Sequence, residues 1–246
     1  MATHLQLEAL ALLQDEVSRS KRTAGVRLAP SFVRSADPDD DPAALARLFG
    51  AGRGGEVRLK LFLTFAMRAT RGRPALSNRR PPTLARMLAL PEPTGPRRVA
   101  DAMRWLVRNR FIRVTPQVGT SGELLLQDGG DPARDLASKD QHGLYVSIPI
   151  ELWSSGLILT MSARELAVFI ALLDVTYDNN EGAMSGHQKR QYGLSNDTWT
   201  RAVRELCRRN MITVRRMVED DGERLPRVRT VYARVSPAGW AKLSER

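Results

Sequence analysis

Apolar residues recur at helical spacing in two stretches that lie one hundred residues apart. Residues 97–114 read RRVADAMRWLVRNRFIRV and residues 197–214 read DTWTRAVRELCRRNMITV, and the two align without a gap. Three positions that are not identical are apolar in both copies: Val99/Trp199, Met103/Val203 and Phe111/Met211. Apolar spacing of i, i+3, i+4 and i+7 predicts an amphipathic helix, and the β-branched residues after it predict a strand. An internal repeat constrains the architecture directly, so we expect two copies of one unit.

The same order of elements is predicted around both copies. The first copy is predicted to contain helices at 57–70, 83–90 and 97–110, then strands at 111–117 and 123–127 joined by the turn VGTSG. The second is predicted to contain helices at 163–177, 186–192 and 195–209, then strands at 211–218 and 227–235. Ser162 with Glu165 forms a capping box signature, and Ser195 is the expected N-cap of the third helix. Helix, helix, turn, helix and hairpin is the order of a winged helix-turn-helix.

The predicted fold is therefore mainly α with small β-hairpins, an α+β chain of two tandem winged helix-turn-helix domains. Residues 1–54 form an N-terminal helical extension with the acidic loop ADPDDDP, and residues 55–128 form the first winged-helix domain. The polar, turn-rich residues 129–143 are expected to be a linker, and residues 144–246 the second winged-helix domain.

Positive charge is concentrated in the first domain. The chain has a net charge of +11 and an isoelectric point of about 10.7. Residues 58–116 hold fourteen Arg and Lys against the two acids Glu92 and Asp101. Such a concentration favours a polyanionic partner, most often nucleic acid. The single cysteine, Cys207, and the lack of a long apolar run or secretion signal predict a cytoplasmic protein without a membrane partner. Binding to DNA would make it nucleoid-associated.

The third helix of each copy is expected to present arginines on the face opposite its apolar stripe. A guanidinium can donate two hydrogen bonds to guanine or bind a phosphate, and asparagine can pair with adenine. The expected DNA contacts of the first copy are Arg97, Arg98, Arg104 and Arg108. Those of the second are Asn196, Thr198, Thr200, Arg201, Arg204 and Arg208. The residues near the front of each helix would enter the major groove, and Arg108 and Arg208 would bind phosphates.

Basic residues outside the third helices extend this expected DNA-contacting surface. They are Arg79 and Arg80 before the second helix of the first copy, Lys189 and Arg190 in the second helix of the second copy, and Arg224, Arg227 and Arg229 in its hairpin. The hairpin arginines could reach a minor groove or the backbone. The acidic residues at the same tip, Glu219 to Glu223, would repel phosphate, so the tip could instead point into solvent or meet a protein.

Motifs for chemistry are weak or incomplete. GAGRGG at residues 50–55 matches a dinucleotide-binding pattern, but a predicted helix rather than a strand precedes it. The histidines, His4, His142 and His187, are far apart and have no metal-binding spacing. Tyr192 and Tyr232 could be nucleophiles, yet no supporting base is placed near them by sequence. We therefore expect no catalytic residue, no cofactor, no metal and no enzymatic activity.

The two units and the phrase YVSIPIELWSSGLILTMSARELAVFIALL (145–173) resemble the theta-type replication initiators of plasmids and phages, over residues 55–240. This resemblance implies sequence-specific binding of double-stranded origin DNA, with a possible homodimer and a monomer–dimer change as control. A transcription regulator would use the same surface at a promoter. A tandem winged-helix assembly subunit, like the partners of chromosome-condensing ATPases, is the third alternative. Residues 1–54 could then contact replication or other partner proteins.

Overall fold

The structure is a computed structural model of the chain with mixed α+β architecture. It describes residues 2–23, 25–37, 41–50, 52, 54–69, 75–77, 80–117, 120–126, 145–177, 179–219 and 227–241. Helices dominate these residues, and the strands form short antiparallel sheets of two or three strands. The predicted α+β class is confirmed.

The N-terminal segment (residues 4–50) contains more structure than its sequence pattern indicates. Its helices are α1 (His4–Ser20), α2 (Pro30–Val33) and α3 (Ala44–Gly50), and its strand is β1 (Val26–Leu28). Helix α1 begins with a capping box in which Thr3 and Gln6 bond to each other's backbone N–H groups. Helices α1 and α3 agree with the helical extension expected here, whereas β1 and α2 lie in a stretch that has only scattered apolar residues.

The first repeat runs from residue 55 to residue 126. It consists of α4 (Gly55–Arg68), β2 (Ala75–Ser77), α5 (Pro81–Met87), α6 (Thr94–Arg108), β3 (Ile112–Gln117) and β4 (Thr120–Leu126). The three strands pair antiparallel in the order β2-β4-β3. Helix α6 begins three residues before the predicted start. The first turn of α6 packs closely against Leu90, and the glycine at position 95 permits this, because a Cβ there would lie 2.9 Å from Cβ of Leu90.

A strand and two short helices precede the second repeat: β5 (Val146–Ile148), α7 (Glu151–Ser154) and α8 (Leu157–Thr160). The second repeat consists of α9 (Ala163–Val175), β6 (Glu181–Ala183), α10 (Gly186–Gln191), α11 (Asn196–Arg208), β7 (Ile212–Glu219) and β8 (Arg227–Arg234). Its strands pair in the order β6-β8-β7, and a 3-10 turn (Pro237–Gly239) follows. The predicted caps are confirmed, since Ser162 and Glu165 form a capping box and Ser195 Oγ accepts from the Thr198 N–H.

The two repeats share one element order: helix, strand, helix, helix, strand, strand. In each, the first strand pairs with the last, which places the last strand in the middle of the sheet. The sequence pattern missed β2 and β6 because a three-residue strand is too short to show period-two alternation.

Two helices form the centre of a continuous apolar core. Nearly every residue of α4 and of α9 is buried. Helix α9 is apolar on most of its surface, as a helix at the centre of a core is expected to be, whereas α4 also buries Arg58 and Lys60. By contrast, α6 and α11 bury a single stripe against this core. Their remaining surface therefore faces solvent at the outside of the molecule.

Candidate nucleic-acid interface

Helices α6 and α11 expose equivalent faces. Three pairs of repeat-related residues are buried: Val99/Trp199, Ala102/Ala202 and Leu106/Leu206. Arginines at 104 and 108, and at 204 and 208, are exposed in the corresponding positions of the two helices. The buried pairs fix the rotation of each helix about its axis, so the arginines point into solvent.

The face of α6 keeps most of its positive charge. Arg97, Arg98, Arg104 and Arg108 are all exposed. Arg104 pairs with Asp101 one turn away, and both side chains of this pair are more than half exposed. No carboxylate in the described part of the chain pairs with the other three arginines. An anion approaching α6 therefore meets guanidinium groups that are not already neutralised.

The face of α11 is partly neutralised by its own carboxylates. Arg201 Nε lies 3.0 Å from Asp197 Oδ1, and Arg208 pairs with Glu205. Arg204 is exposed, and no described carboxylate pairs with it. Exposed pairs of this kind contribute about 0–1 kcal/mol, so a phosphate can compete for the same arginine. The two helices are thus similar in shape and unequal in charge.

The front of α11 carries polar groups that are already in contact with one another. Lys189 Nζ donates to Asn196 Oδ1 at 3.1 Å, and Thr200 Oγ1 donates to the backbone oxygen of Asn196 at 2.8 Å. The Asn196 amide keeps one oxygen lone pair and both N–H donors for a base edge. Thr198 is half-buried, and its hydroxyl accepts from Ser195 Oγ at 3.0 Å. Asn196 and Thr200 are therefore the more accessible of the predicted polar contacts.

The short helix α10 places further basic groups beside α11. Arg190 is exposed, with His187 Nδ1 3.4 Å from its NH2. Lys189 is half-buried over the Trp199 ring, at 5.6 Å from its centroid, and burial lowers the pKa of its ammonium group. Lys189 and Arg190 both belong to the DNA-contacting surface that the sequence predicts.

The hairpin and loop residues of the predicted surface are less completely described. Arg79 and Arg224 lie outside the described residues, and for Arg227 only the backbone is described, pairing with Glu219. Arg80 is exposed at the N-cap of α5. Arg229 is exposed, on the face of the hairpin opposite Tyr232, by the alternation of side chains along β8.

The structure adds basic residues that the sequence pattern did not single out. Arg216 alternates onto the same hairpin face as Tyr232, whose hydroxyl accepts from Trp199 Nε1 of α11. Arg164 at the start of α9 lines a cavity of about 350 Å³ together with Arg201 and Arg204. Hairpin alternation could have identified Arg216, whereas the approach of α9 to α11 has no local sequence signal.

Part of the basic charge counted along residues 58–116 is internal. Arg58 and Lys60 are only 4% and 5% exposed. The Arg58 guanidinium lies 4.3 Å from the centroid of the Trp105 ring, and burial lowers its pKa. Arg68 pairs with the buried Glu16 at 2.6 Å, and Arg86 pairs with Glu8. Among the described residues of this stretch, fewer basic side chains are exposed than the sequence count suggests, and α6 carries four of the exposed ones.

Two tyrosines considered as nucleophiles are buried instead. Tyr192 donates to Asp174 Oδ2 at 2.7 Å, and Tyr232 accepts from Trp199. Burial raises the pKa of both phenols. Among the described residues, no group of three or more His, Cys, Asp or Glu side chains is arranged to hold a metal ion.

No protein-family model, curated protein or solved structure matches this chain. In the described part of the chain, none of the helices has the length and apolar character needed to cross a bilayer.

Proposed function

We propose that this protein binds double-stranded DNA sequence-specifically through the exposed arginine faces of α6 and α11. Each helix is the third helix of a unit that we interpret as a winged helix. One observation carries the proposal: the same face of the same helix is exposed and arginine-bearing in both copies of the repeat. Repetition of a charged helix face at one position of a repeated unit favours a recognition role over an ordinary solvated surface.

The two helices would contribute unequally to binding. Arg97 and Arg98, at the front of α6, have the chemistry to donate to guanine O6 and N7 or to the backbone, and Arg108 is suited to a phosphate. On α11, Asn196 has the donor and acceptor that adenine requires. We therefore assign most of the electrostatic affinity to α6 and a larger share of base discrimination to α11.

The biological setting we propose is replication initiation on a mobile element, as the resemblance to theta-type initiators implies. A transcription regulator would use the same surface, and the genomic position of the bound sites distinguishes the two roles. We assign no covalent chemistry to the chain.

A role as a protein-assembly subunit is the second candidate, and two observations favour it. Arg201 and Arg208 of α11 are paired with carboxylates of their own helix. Val218 and Val228 face each other across the β7–β8 hairpin and are 66% and 65% exposed. An exposed apolar pair at the end of a hairpin is a feature that protein contacts use.

The test is selection of bound duplexes from a random library. We expect the wild-type protein to enrich a defined sequence and the Arg98→Ala/Arg204→Ala double variant to lose at least about tenfold in affinity for it. Arg19→Ala/Lys21→Ala removes two exposed basic residues of the N-terminal segment and is the matched control, expected to bind within about twofold of wild type. Failure to enrich any sequence, or an equal loss in both variants, would exclude DNA recognition by these helices and favour the assembly role.

A further inference from the structure

We propose that α6 and α11 are held in one fixed relative geometry, so that the DNA ligand is a two-part site with a single permitted spacing. This inference rests on the proposed DNA binding for its ligand, and on packing for the fixed geometry. The N-terminal segment is the element that sets the spacing, because it packs against both repeats at several separate points.

A ten-residue stretch of this segment joins the two halves of the molecule. Strand β1 pairs antiparallel with β5, with Val26 opposite Ile148 and Leu28 opposite Val146. A few residues later, the Phe32 ring stacks on Phe62 of α4 with centroids 5.2 Å apart. Residues 26–32 thus pair with β5 in a sheet and also contribute Phe32 to the aromatic core of the first repeat.

The next residues bind the second repeat. Arg34 Nη1 lies 3.1 Å from Asp174 Oδ2 of α9, and the Ser35 N–H donates to the backbone oxygen of Gln191 at 2.8 Å. Asp174 is mostly buried and also accepts from Tyr192. Phe32 and Arg34 are two residues apart yet contact different repeats. This leaves almost no chain length through which the repeats could move independently.

Helix α3 repeats this double contact, and α1 joins the first repeat to helix α7, which precedes the second repeat. On α3, Ala46 packs against Gly193 in the turn before α11, where a Cβ on Gly193 would lie 2.5 Å from the Ala46 Cβ. The neighbouring Arg47 lies over the Phe111 ring of the first repeat at 5.4 Å. On α1, Gln14 Nε2 donates to the backbone oxygen of Ser154 at 2.9 Å, while Glu8 pairs with Arg86 of α5.

Buried polar contacts join the repeats without the N-terminal segment. Lys60 Nζ of α4 donates to the backbone oxygen of Leu159 at 3.0 Å. Arg209, at the C-terminal end of α11, donates to the hydroxyl and the backbone oxygen of the adjacent Thr160. Lys60 and Arg209 therefore hold consecutive residues of one short segment, which ties the end of α11 to α4.

A fixed geometry has a direct consequence for DNA. Inserting one base pair between two half-sites turns one of them by about 35° and moves it by about 3.4 Å. A rigid protein cannot follow this change with both helices, whereas two domains on a flexible linker can. The spacing that the protein permits between the two half-sites is then set by the folded core and not by residues 129–143.

The geometry can be measured without DNA, using the native cysteine. Cys207 is exposed on α11, and Val107, its repeat equivalent on α6, is 42% exposed. Spin labels on Val107→Cys and Cys207 should give one narrow distance distribution by pulsed electron paramagnetic resonance. Insertion of Gly-Gly-Ser-Gly-Gly-Ser within residues 129–143 should leave that distribution unchanged.

The singly labelled wild type and the Val107→Cys/Cys207→Ala variant are the controls for intermolecular distances. A broad distribution, or one that the insertion broadens, would overturn the inference.

The DNA consequence is measured on the selected site with base pairs added or removed between its two halves. We expect a loss of at least about tenfold for each single insertion or deletion, in the wild type and in the linker-insertion variant alike. Equal affinity across the spacing series, with both halves protected in footprints, would overturn the fixed geometry while leaving DNA binding intact. A narrow label distance with no sequence-dependent DNA binding would instead refute the proposed function alone.

Discussion

The arginines of this chain differ in environment more than their sequence pattern indicates. Periodicity correctly places Arg97, Arg98 and Arg204 on exposed helix faces. It does not separate them from Arg58, which is buried on α4, a helix that is covered by other elements on every side. The neutralising pairs on α6 and α11 could have been predicted, because Asp and Glu stand three or four residues before their arginine partners.

Asp101 pairs with Arg104 and so reduces the positive charge of the α6 face. Removing its carboxylate tests, at the residue scale, whether this face binds DNA. Asp101→Asn frees Arg104 for a phosphate and should raise DNA affinity by about fivefold, with a salt dependence steeper by roughly 0.9. Because the pair is exposed, the free energy of unfolding should change by less than about 0.5 kcal/mol. Binding titrations and urea unfolding measure the two effects.

Asp15→Asn is the matched control, since Asp15 forms an equivalent exposed pair with Arg19 on α1. It raises the net charge by the same amount at a site distant in sequence from α6. Equal gains in affinity from both variants would mean that net charge, and not the α6 face, governs binding.

At the element scale, the long helices were predictable and several of the short elements were not. Helices α4, α6, α9 and α11 agree with the predictions to within a few residues because each spans several turns of periodic pattern. Strands β1, β2 and β6 and helices α2 and α8 have three or four residues each. They form because neighbouring elements supply hydrogen bonds and apolar contacts, which leave no periodic trace in the sequence.

The contact between α4 and α8 predicts a pH dependence of stability. Burial lowers the pKa of Lys60 below its ordinary value of 10.5, and this effect outweighs the opposing attraction of Glu56. The folded protein then releases the Lys60 proton at lower pH than the unfolded chain does. The contribution of Lys60 to the free energy of unfolding therefore increases as the pH rises from the lowered pKa of the folded protein toward the ordinary lysine pKa of 10.5.

Lys60→Met removes this contribution. We expect the variant to equal or exceed the wild type in free energy of unfolding at neutral pH, because methionine avoids the burial of a charge. Its advantage should shrink as pH rises from about 8 to about 10, measured by urea unfolding. Lys21→Met, which removes an exposed lysine, is the control. An advantage that grows with pH would contradict the assigned direction.

At the scale of the whole molecule, the N-terminal segment has a larger structural role than the sequence suggests. The repeat predicted two similar units, and the element order of both is present. The N-terminal segment, expected as an extension, instead contributes a strand, an aromatic ring and an ion pair to the contacts that join the repeats. The β1–β5 pairing and the Arg34–Asp174 ion pair join residues more than one hundred positions apart, so no local pattern could reveal them.

The central claim is that unpaired arginines on the repeated helix faces bind duplex DNA. The most direct test is the slope of log affinity against log salt concentration for the selected site. Phosphate contacts from Arg108 and Arg204 predict a slope of about −1.8, which steepens to about −3.6 if Arg97 and Arg98 bind the backbone as well. A slope near zero would show that these arginines neutralise no phosphates and would contradict the account.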